Sequence, residues 1–272
     1  MSFVPPKAYK NMEFLNSAPA RHIRILCEYE ETRQRFIQQG VENTVVFFGS
    51  ARTISSEQAE KSVLKGEALV RAEPDNSDAR EALKKAQISQ RSAPFYDAAR
   101  ELGRRLTEWS MKRNGKDYLV CSGGGPGIME AGNRGALEAG GRSIGLGISL
   151  PFVQGVNRFV TQELAFEFHY FFTRKYWFLY PCKAVVNFPG GFGTLDELFE
   201  TTTLVQTGKI SRPLPMVLFG TKYWDQVLNM SAMAEWGTIS PSDIDLMFRT
   251  DSVDEAFEYL TTQLAANENA TN

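Results

Sequence analysis

Apolar and polar positions along this chain follow two periods. Residues 44–48, Thr-Val-Val-Phe-Phe, form a short, fully apolar, β-rich run that ends in Gly49-Ser50-Ala51-Arg52. A strand covered by helices on both faces reads this way, as in a parallel sheet. From residue 116 onward, short apolar runs take turns with longer amphipathic stretches. The pattern predicts strands at 118–121, 142–148, 159–166, 183–188, 215–219 and 244–248. Between them it predicts helices at 127–139, 169–179, 193–206, 223–235 and 253–264. Strands alternating with helices of this length predict an α/β fold built on a doubly wound parallel sheet.

The first part of the chain departs from that alternation. Residues 20–39 carry Ile23, Leu26, Cys27 and Phe36 among many charges, and Gly40 follows, which predicts an amphipathic helix packed on the domain or on a partner subunit. Residues 55–90 are rich in Ala, Glu, Lys and Gln, with Glu73-Pro74-Asp75-Asn76-Ser77-Asp78 in the middle. Two solvent-washed helices around a turn are expected there, the second capped by Asp75 or Ser77. A separate helix over 94–111 then returns to the core through Phe95, Ala98, Leu102, Leu106 and Trp109. The resulting division is a helical extension over 1–40, an α/β domain over 41–266 with a helical insertion at 55–92, and a loose tail over 267–272.

Composition narrows the function. The chain has 272 residues, 30 Lys+Arg against 32 Asp+Glu, and a formal net charge of −2. No field draws it to nucleic acid or to anionic lipid, and single-stranded DNA binding would need a basic groove interleaved with aromatics. Cys27, Cys121 and Cys182 have no CxxC spacing, which fits a reducing cytoplasm. The first residues show no apolar core of a secretory signal, and no apolar stretch reaches about 18 residues, so no bilayer span is expected. His22 and His169 are the two histidines, so neither a His-rich zinc site nor a Ser-His-Asp triad is expected. His169 reads as a hydrogen-bonded core residue rather than a base. No metal and no cofactor is predicted.

Three strands end in small-residue turns that feed helices: Gly49-Ser50-Ala51, Gly123-Gly124-Gly125-Pro126-Gly127, and Pro189-Gly190-Gly191-Phe192-Gly193-Thr194. In a parallel sheet all three lie on one edge and can line one crevice. Glycine lets a ligand approach the backbone, and the helix N-terminus beyond it offers free N–H groups and partial positive charge, a combination that suits a phosphate. None of the turns is a Walker A loop, and none is a clean GxGxxG. Glu197, three residues after Thr194, has two readings. It completes a capping box, or it faces a ligand whose ribosyl group becomes positive during reaction. At about 4 Å and an effective dielectric near 20, the second arrangement is worth roughly 4 kcal/mol, about three decades of rate. Arg174 and Lys175 sit in an aromatic helix expected to be buried on nearly all faces, so each needs a partner, either Glu197 or a ligand phosphate.

These residues together resemble the Lonely Guy (LOG) family of cytokinin-activating phosphoribohydrolases, many of which carry a lysine decarboxylase-like label. The hallmark PGGxGTxxE stands complete as Pro189-Gly190-Gly191-Phe192-Gly193-Thr194-Leu195-Asp196-Glu197, with the preceding pair as Arg174-Lys175. The GGGxxGIM turn appears as Gly123-Gly124-Gly125-Pro126-Gly127-Ile128-Met129, and the first GS turn as Gly49-Ser50. The extra N-terminal helix and the insertion make the chain resemble the longer bacterial members. The resemblance implies a Rossmann-like nucleotide-binding homodimer, or a higher homo-oligomer. Its activity would be cleavage of the N-glycosidic bond of a nucleoside 5′-monophosphate, AMP or a cytokinin riboside monophosphate, to free base and ribose 5-phosphate. It implies Glu197 and Arg174 as the catalytic pair. Gly190, Gly191, Gly193 and Thr194 would then hold the phosphate, with Gly123, Gly124, Ser50 and Lys175 completing the pocket. The alternative is a carrier that holds a nucleotide or phosphorylated cofactor without cleaving it. A pyridoxal-phosphate decarboxylase would need a Schiff-base lysine with an acidic partner for the pyridinium nitrogen, and no lysine here stands in such an arrangement.

Overall fold

The computed structural model describes residues 4–113, 118–151 and 155–271. Residues 1–3 of the expected extension and residue 272 of the expected tail lie outside the described residues. The strands are β1 Asn43–Phe48, β2 Tyr118–Ser122, β3 Ser143–Ile148, β4 Ala165–Phe168, β5 Cys182–Asn187, β6 Met216–Phe219 and β7 Met247–Thr250. The helices are α1 Met12–Asn16, α2 Arg21–Gln38, α3 Ser56–Ala72, α4 Ser77–Met111, α5 Ile128–Glu138, α6 Phe171–Leu179, α7 Phe192–Gln206, α8 Thr221–Val227, α9 Met230–Glu235 and α10 Val253–Thr271.

Every pairing in the sheet is parallel, in the order β4-β3-β2-β1-β5-β6-β7. The fold is the doubly wound α/β, Rossmann-like one. The chain builds outward from β1 through β2, β3 and β4, then returns to the other side of β1 with β5. That reversal opens a crevice at the carboxyl ends of β1 and β5, where ligands bind in such sheets. Side chains alternate across the sheet. Val46, Phe48, Val185 and Leu218 share a face with Trp177 and Phe178 of α6 and Leu198 of α7. Val45, Phe47, Val186 and Val217 face Leu102 of α4, Ile128 of α5 and Leu260 of α10. The apolar run at 44–48 is buried because both faces are covered.

Several expected boundaries move for identifiable reasons. The insertion does not end at residue 92 in a new helix, because α4 runs unbroken for 35 residues with Pro94 inside it. A proline in a helix interior costs about 3 kcal/mol. Here Ala86 and Ala93 before it and Tyr96, Ala99 and Leu102 after it are all buried, so packing on both sides offsets that cost. Asn76 caps α4, accepting from Asp78 and Ala79 amides, in place of either neighbour named from the sequence. The strand expected over 159–166 forms only from Ala165, since Asn157 turns the chain by accepting the Phe159 amide. The helix expected over 223–235 breaks into α8 and α9, the second restarted by Asn229 capping Ala232. A Ser240–Asp243 capping box starts a 3-10 turn, so the last strand begins at Met247 rather than 244. Residues 267–271, expected to be loose, continue α10 as helix. No helix among the described residues is long and apolar enough to cross a membrane.

Candidate active site

β2, β1 and β5 are neighbours, so their glycine turns meet at one edge of the sheet. Ser50 ties them together: its amide donates to Pro189 O at 3.0 Å, and its carbonyl accepts from the Ile128 amide at 3.0 Å. Gly127 has φ of 73° and its absent Cβ would stand 2.2 Å from Ser50 O, so the turn after β2 closes on the turn after β1 only through glycine.

The turn after β5 leads into α7, which begins at Phe192 with Gly191 as its cap residue and no side chain capping it. Thr194 therefore lies in the first turn of the helix instead of at its cap. The capping-box reading of Thr194 and Glu197 fails because the helix starts earlier than the spacing implied. Thr194 packs on Gly190, where a Cβ would stand 2.0 Å from Thr194 Oγ1. Tyr223 of α8 donates to Gly190 O at 2.5 Å and holds the turn from behind. Gly191 and Gly193, in contrast, look onto open space, with no atom within 4 Å of a built Cβ. The first-turn amides of α7, with the positive end of its dipole, are thus open to an anion.

Glu197 lies in the next turn of α7. It is 5% exposed, and its Oε2 is buried without a hydrogen-bond partner. Burial pushes its pKa up to about 7, while Lys175 and Arg174 draw it down and Glu200 and Asp196 push it further up. Arg174 projects from α6 under the same edge. Its Nε donates to Leu146 O of β3 at 2.7 Å, and its guanidinium lies 4.9 Å from the Phe178 ring centroid. A Cβ at Gly123 would stand 2.4 Å from Arg174 Nη2, so the guanidinium occupies the space that Gly123 leaves. Burial lowers the Arg174 pKa and the Glu197 charge raises it. An arginine stays protonated in such a setting. The two groups sense each other's charge, while Glu197 keeps an oxygen unpaired. Lys175 is placed differently: its ammonium bridges Asp196 at 2.8 Å and Glu200 at 2.5 Å on the outer side of α7. Burial lowers its pKa, the bonds to Asp196 and Glu200 raise it, and the net shift is upward.

Around Gly123 and Gly124 the polar groups are paired. Gly124, at φ of 68°, donates its amide to Ser122 Oγ at 3.0 Å, and Ser122 donates to Asn133 Oδ1 at 2.7 Å. Asn157 Nδ2 donates to Gly124 O, Gly125 O and Asn133 Oδ1 at 3.1, 3.1 and 3.0 Å. Asn133 Nδ2 donates to Ile144 O at 3.2 Å. Sequence reasoning missed Asn133, Asn157 and Tyr223. An amide on a helix between small residues, as Asn133 is, was the one local signal. It also missed Asn187, the last residue of β5, whose side-chain nitrogen and oxygen are both buried without partners. Its register beside Phe48 and Leu218 puts it on the sheet face that α6 and α7 cover.

Two expectations about α6 are corrected. Thr173, Trp177, Phe178 and Leu179 are buried, but Phe171, Phe172 and Tyr176 are exposed, so the helix is covered on one side instead of nearly all round. His169 is exposed and packs edge-on to Tyr170 at 4.7 Å, so it is no core residue. No group of three or more His, Cys, Asp or Glu among the described residues could hold a metal ion.

Residues 129–260 match the family model described as possible lysine decarboxylase. The chain is 27% identical over 165 residues to a probable cytokinin riboside 5′-monophosphate phosphoribohydrolase, LOG6 of Arabidopsis thaliana, covering 61% of this chain and 79% of that protein. It is 33% identical over 147 residues to the cytokinin riboside 5′-monophosphate phosphoribohydrolase LOG of Oryza sativa subsp. japonica, covering 53% of this chain and 56% of that protein. Among solved structures, a Moco carrier protein from Chlamydomonas reinhardtii is 19% identical with a TM-score of 0.44, covering 83% of this chain and 99% of that one, a likeness too loose to argue from. By its matched region and these relatives, the chain is similar to the LOG family.

Proposed function

We propose that the protein is a phosphoribohydrolase that cleaves a nucleoside 5′-monophosphate, AMP or a cytokinin riboside monophosphate, to free base and ribose 5-phosphate. The observation that carries this reading is Glu197: a buried carboxyl with an unpaired oxygen, one turn from open backbone amides at a helix N-terminus. A fold does not gain from burying such a group alone. It fits a ligand that is anionic at one end and becomes cationic at the other. The 5′-phosphate rests on the amides of residues 191–194, with Thr194 and Gly190 shaping the turn. Binding energy at that end holds the ribose over Glu197. The bond between C1′ and the base nitrogen breaks, and its electron pair leaves with the base. The ribosyl group then carries positive charge that ionised Glu197 stabilises. Water adds its oxygen to C1′ and gives up a proton to the carboxylate, and that proton passes on to the departed base nitrogen, which leaves the base neutral and Glu197 ionised again. Arg174 favours the ionised form of Glu197 against the pull of burial and orients it, with Gly123 leaving room for the guanidinium. Gly124 and Ser50 close the pocket, and Lys175 balances the acidic outer face of α7.

In this reading the protein works as a homodimer in a reducing cytoplasm. The exposed aromatic face of α6 and the three free cysteines support those two points.

The test is incubation of purified protein with AMP and with a cytokinin riboside monophosphate, followed by chromatography for the free base. Glu197→Ala should lower base release by about three decades or more while ribose 5-phosphate still binds. An active Glu197→Ala enzyme ends the assignment. Tight nucleotide binding by the wild type, with no base released from any nucleotide tried, establishes the carrier instead.

A further inference from the structure

The helix that presents Arg174 is not capped by its own residues. Tyr170, its cap residue, makes no side-chain cap, and no acidic residue lies in its first turn. The hold on its start comes from α2, more than a hundred residues earlier in the chain. Glu28 accepts from the His169 amide at 2.7 Å and from the Tyr170 amide at 3.4 Å, and its carboxylate lies 2.5 Å from Thr173 Oγ1. Thr173 directly precedes Arg174, whose own amide bonds to Tyr170 O at 3.3 Å. A carboxylate that accepts from the two amides leading into the positive end of a helix is a strong, charge-assisted contact.

Three ring contacts fix α2 as the platform for α6. Tyr29 packs on Tyr176 and Trp177 with ring centroids 5.5 and 5.4 Å away, and Phe36 meets Trp177 edge-on at 5.5 Å. Arg35 donates to Ala165 O at 2.6 Å and lies 4.1 Å from the Phe166 ring centroid, which ties the same helix to β4. The N-terminal helix is therefore joined to both the sheet edge and the helix bearing the guanidinium.

We infer that Glu28 is a positioning residue for Arg174: by holding the start of α6 from α2, it sets the height and direction of the guanidinium that lies against Gly123. The inference rests on the hydrolase reading for its effect on turnover, and on geometry alone for its effect on α6. It also gives the N-terminal extension a part in the active site, where the sequence showed only an appendage.

The experiment compares Glu28→Ala, Glu28→Gln and the control Glu30→Ala in the full chain. Glu30 is exposed and, among the described residues, pairs with Arg33 on its own helix turn, so its loss leaves α6 untouched. With AMP as substrate, Glu28→Ala should lower kcat about tenfold and change KM by less than about twofold. The limb of the pH–rate profile set by Glu197 should move to higher pH, because a displaced Arg174 no longer favours the ionised carboxylate. Glu28→Gln, which keeps an acceptor oxygen, should recover most of the rate. Amides of residues 171–179 should exchange about tenfold faster in Glu28→Ala, while those of 192–206 and the binding of ribose 5-phosphate stay as in the wild type. An unshifted pH limb with wild-type kcat in Glu28→Ala overturns the inference. So does equal loss of protection in both helices, which would mark a general destabilisation. If the wild type releases no base from any nucleotide, the hydrolase reading falls separately. Exchange over 171–179 then decides the role of Glu28, and unchanged exchange there refutes it.

Discussion

The turn after β2 and the turn after β5 both run through consecutive glycines into a helix, yet their polar groups meet different fates. After β2, Ser122, Asn133 and Asn157 form a closed network that uses the carbonyls of Gly124 and Gly125 and the amide of Gly124. After β5, the first-turn amides of α7 have no side-chain cap, Glu197 Oε2 is unpaired, and both polar atoms of Asn187 are buried without partners. Folding drives buried polar groups to find partners, so the first pattern is that of a scaffold. The second persists where something outside the chain completes it. Like residues in like turns thus divide into a part that holds the shape and a part that, in the proposed reading, waits for a ligand.

The largest test of that division falls on the scaffold side. Asn133 is fully buried and serves Ser122, Asn157 and the Ile144 carbonyl at once. Asn133→Ala leaves the buried Ser122 hydroxyl without its acceptor and takes one bond each from Asn157 and the Ile144 carbonyl, at a cost of about 3 kcal/mol. Urea unfolding should show the loss as a lower midpoint with unchanged slope. A variant as stable as the wild type would mean that the network holds nothing, and the contrast with the other turn would disappear.

Nearly as large, and opposite in sign, is the effect expected at Glu197. Its carboxyl titrates at about 7 in the fold against an ordinary 4.5. Between those values the folded chain binds more protons than the unfolded one, so stability falls as pH rises through the window. The fall amounts to about 3 kcal/mol, complete above pH 7. Glu197→Gln should abolish it, so that the variant gains on the wild type as pH is raised from 4.5 to 8 in denaturation series. Equal pH slopes in the two proteins would show that Glu197 is not held away from water. In the same window, base release by the wild type should rise with pH and level off above about 7, since the ionised form is the active one.

Smaller again is Gly123→Ala, which asks whether the scaffold turn also serves the site. The new Cβ would meet Arg174 Nη2 and, at 2.8 Å, Met129 Sδ. Both are ends of flexible side chains, so stability should change little. The guanidinium, anchored through Nε on Leu146 O, must tilt about that anchor to make room. Turnover should fall about tenfold, measured as kcat with AMP. Unchanged kcat would free Gly123 from any part in placing Arg174.

The contrast between the turns was only half legible in the chain itself. The run at 44–48 announced a buried central strand because a parallel sheet needs apolar residues on both faces. The residues 189–197 pointed to the candidate site because consecutive glycines, a threonine and a carboxylate meet there at the start of a helix. The partners that complete the picture lie far off in sequence. Asn157 reaches back to Gly124, Tyr223 to Gly190, and Glu28 forward to His169. Each is a common residue on a turn or helix, and no local spacing marks it. Local rules also misled in specific ways. Pro94 suggested a break that packing on both sides suppresses, and Thr194 suggested a cap that Gly191 already provides. In both places the missing information was tertiary.

The smallest effect on the fold is expected at Gly193, and it separates the two kinds of glycine most sharply. Gly190 cannot take a side chain, since Thr194 fills the space. Gly193 lies inside α7, faces open space, and needs no left-handed backbone. Nothing in the protein requires glycine there, and alanine favours a helix by up to about 1 kcal/mol in an interior position. Gly193→Ala should therefore leave the urea midpoint unchanged or raise it slightly. Its methyl group would stand where a phosphate closes on the first-turn amides, so affinity for ribose 5-phosphate should fall about tenfold, read by calorimetry. A stable variant with weakened anion binding would show that the glycine serves a ligand and not the fold. A stable variant with intact binding would move the phosphate elsewhere and leave the open amides of α7 as no more than an uncapped helix end.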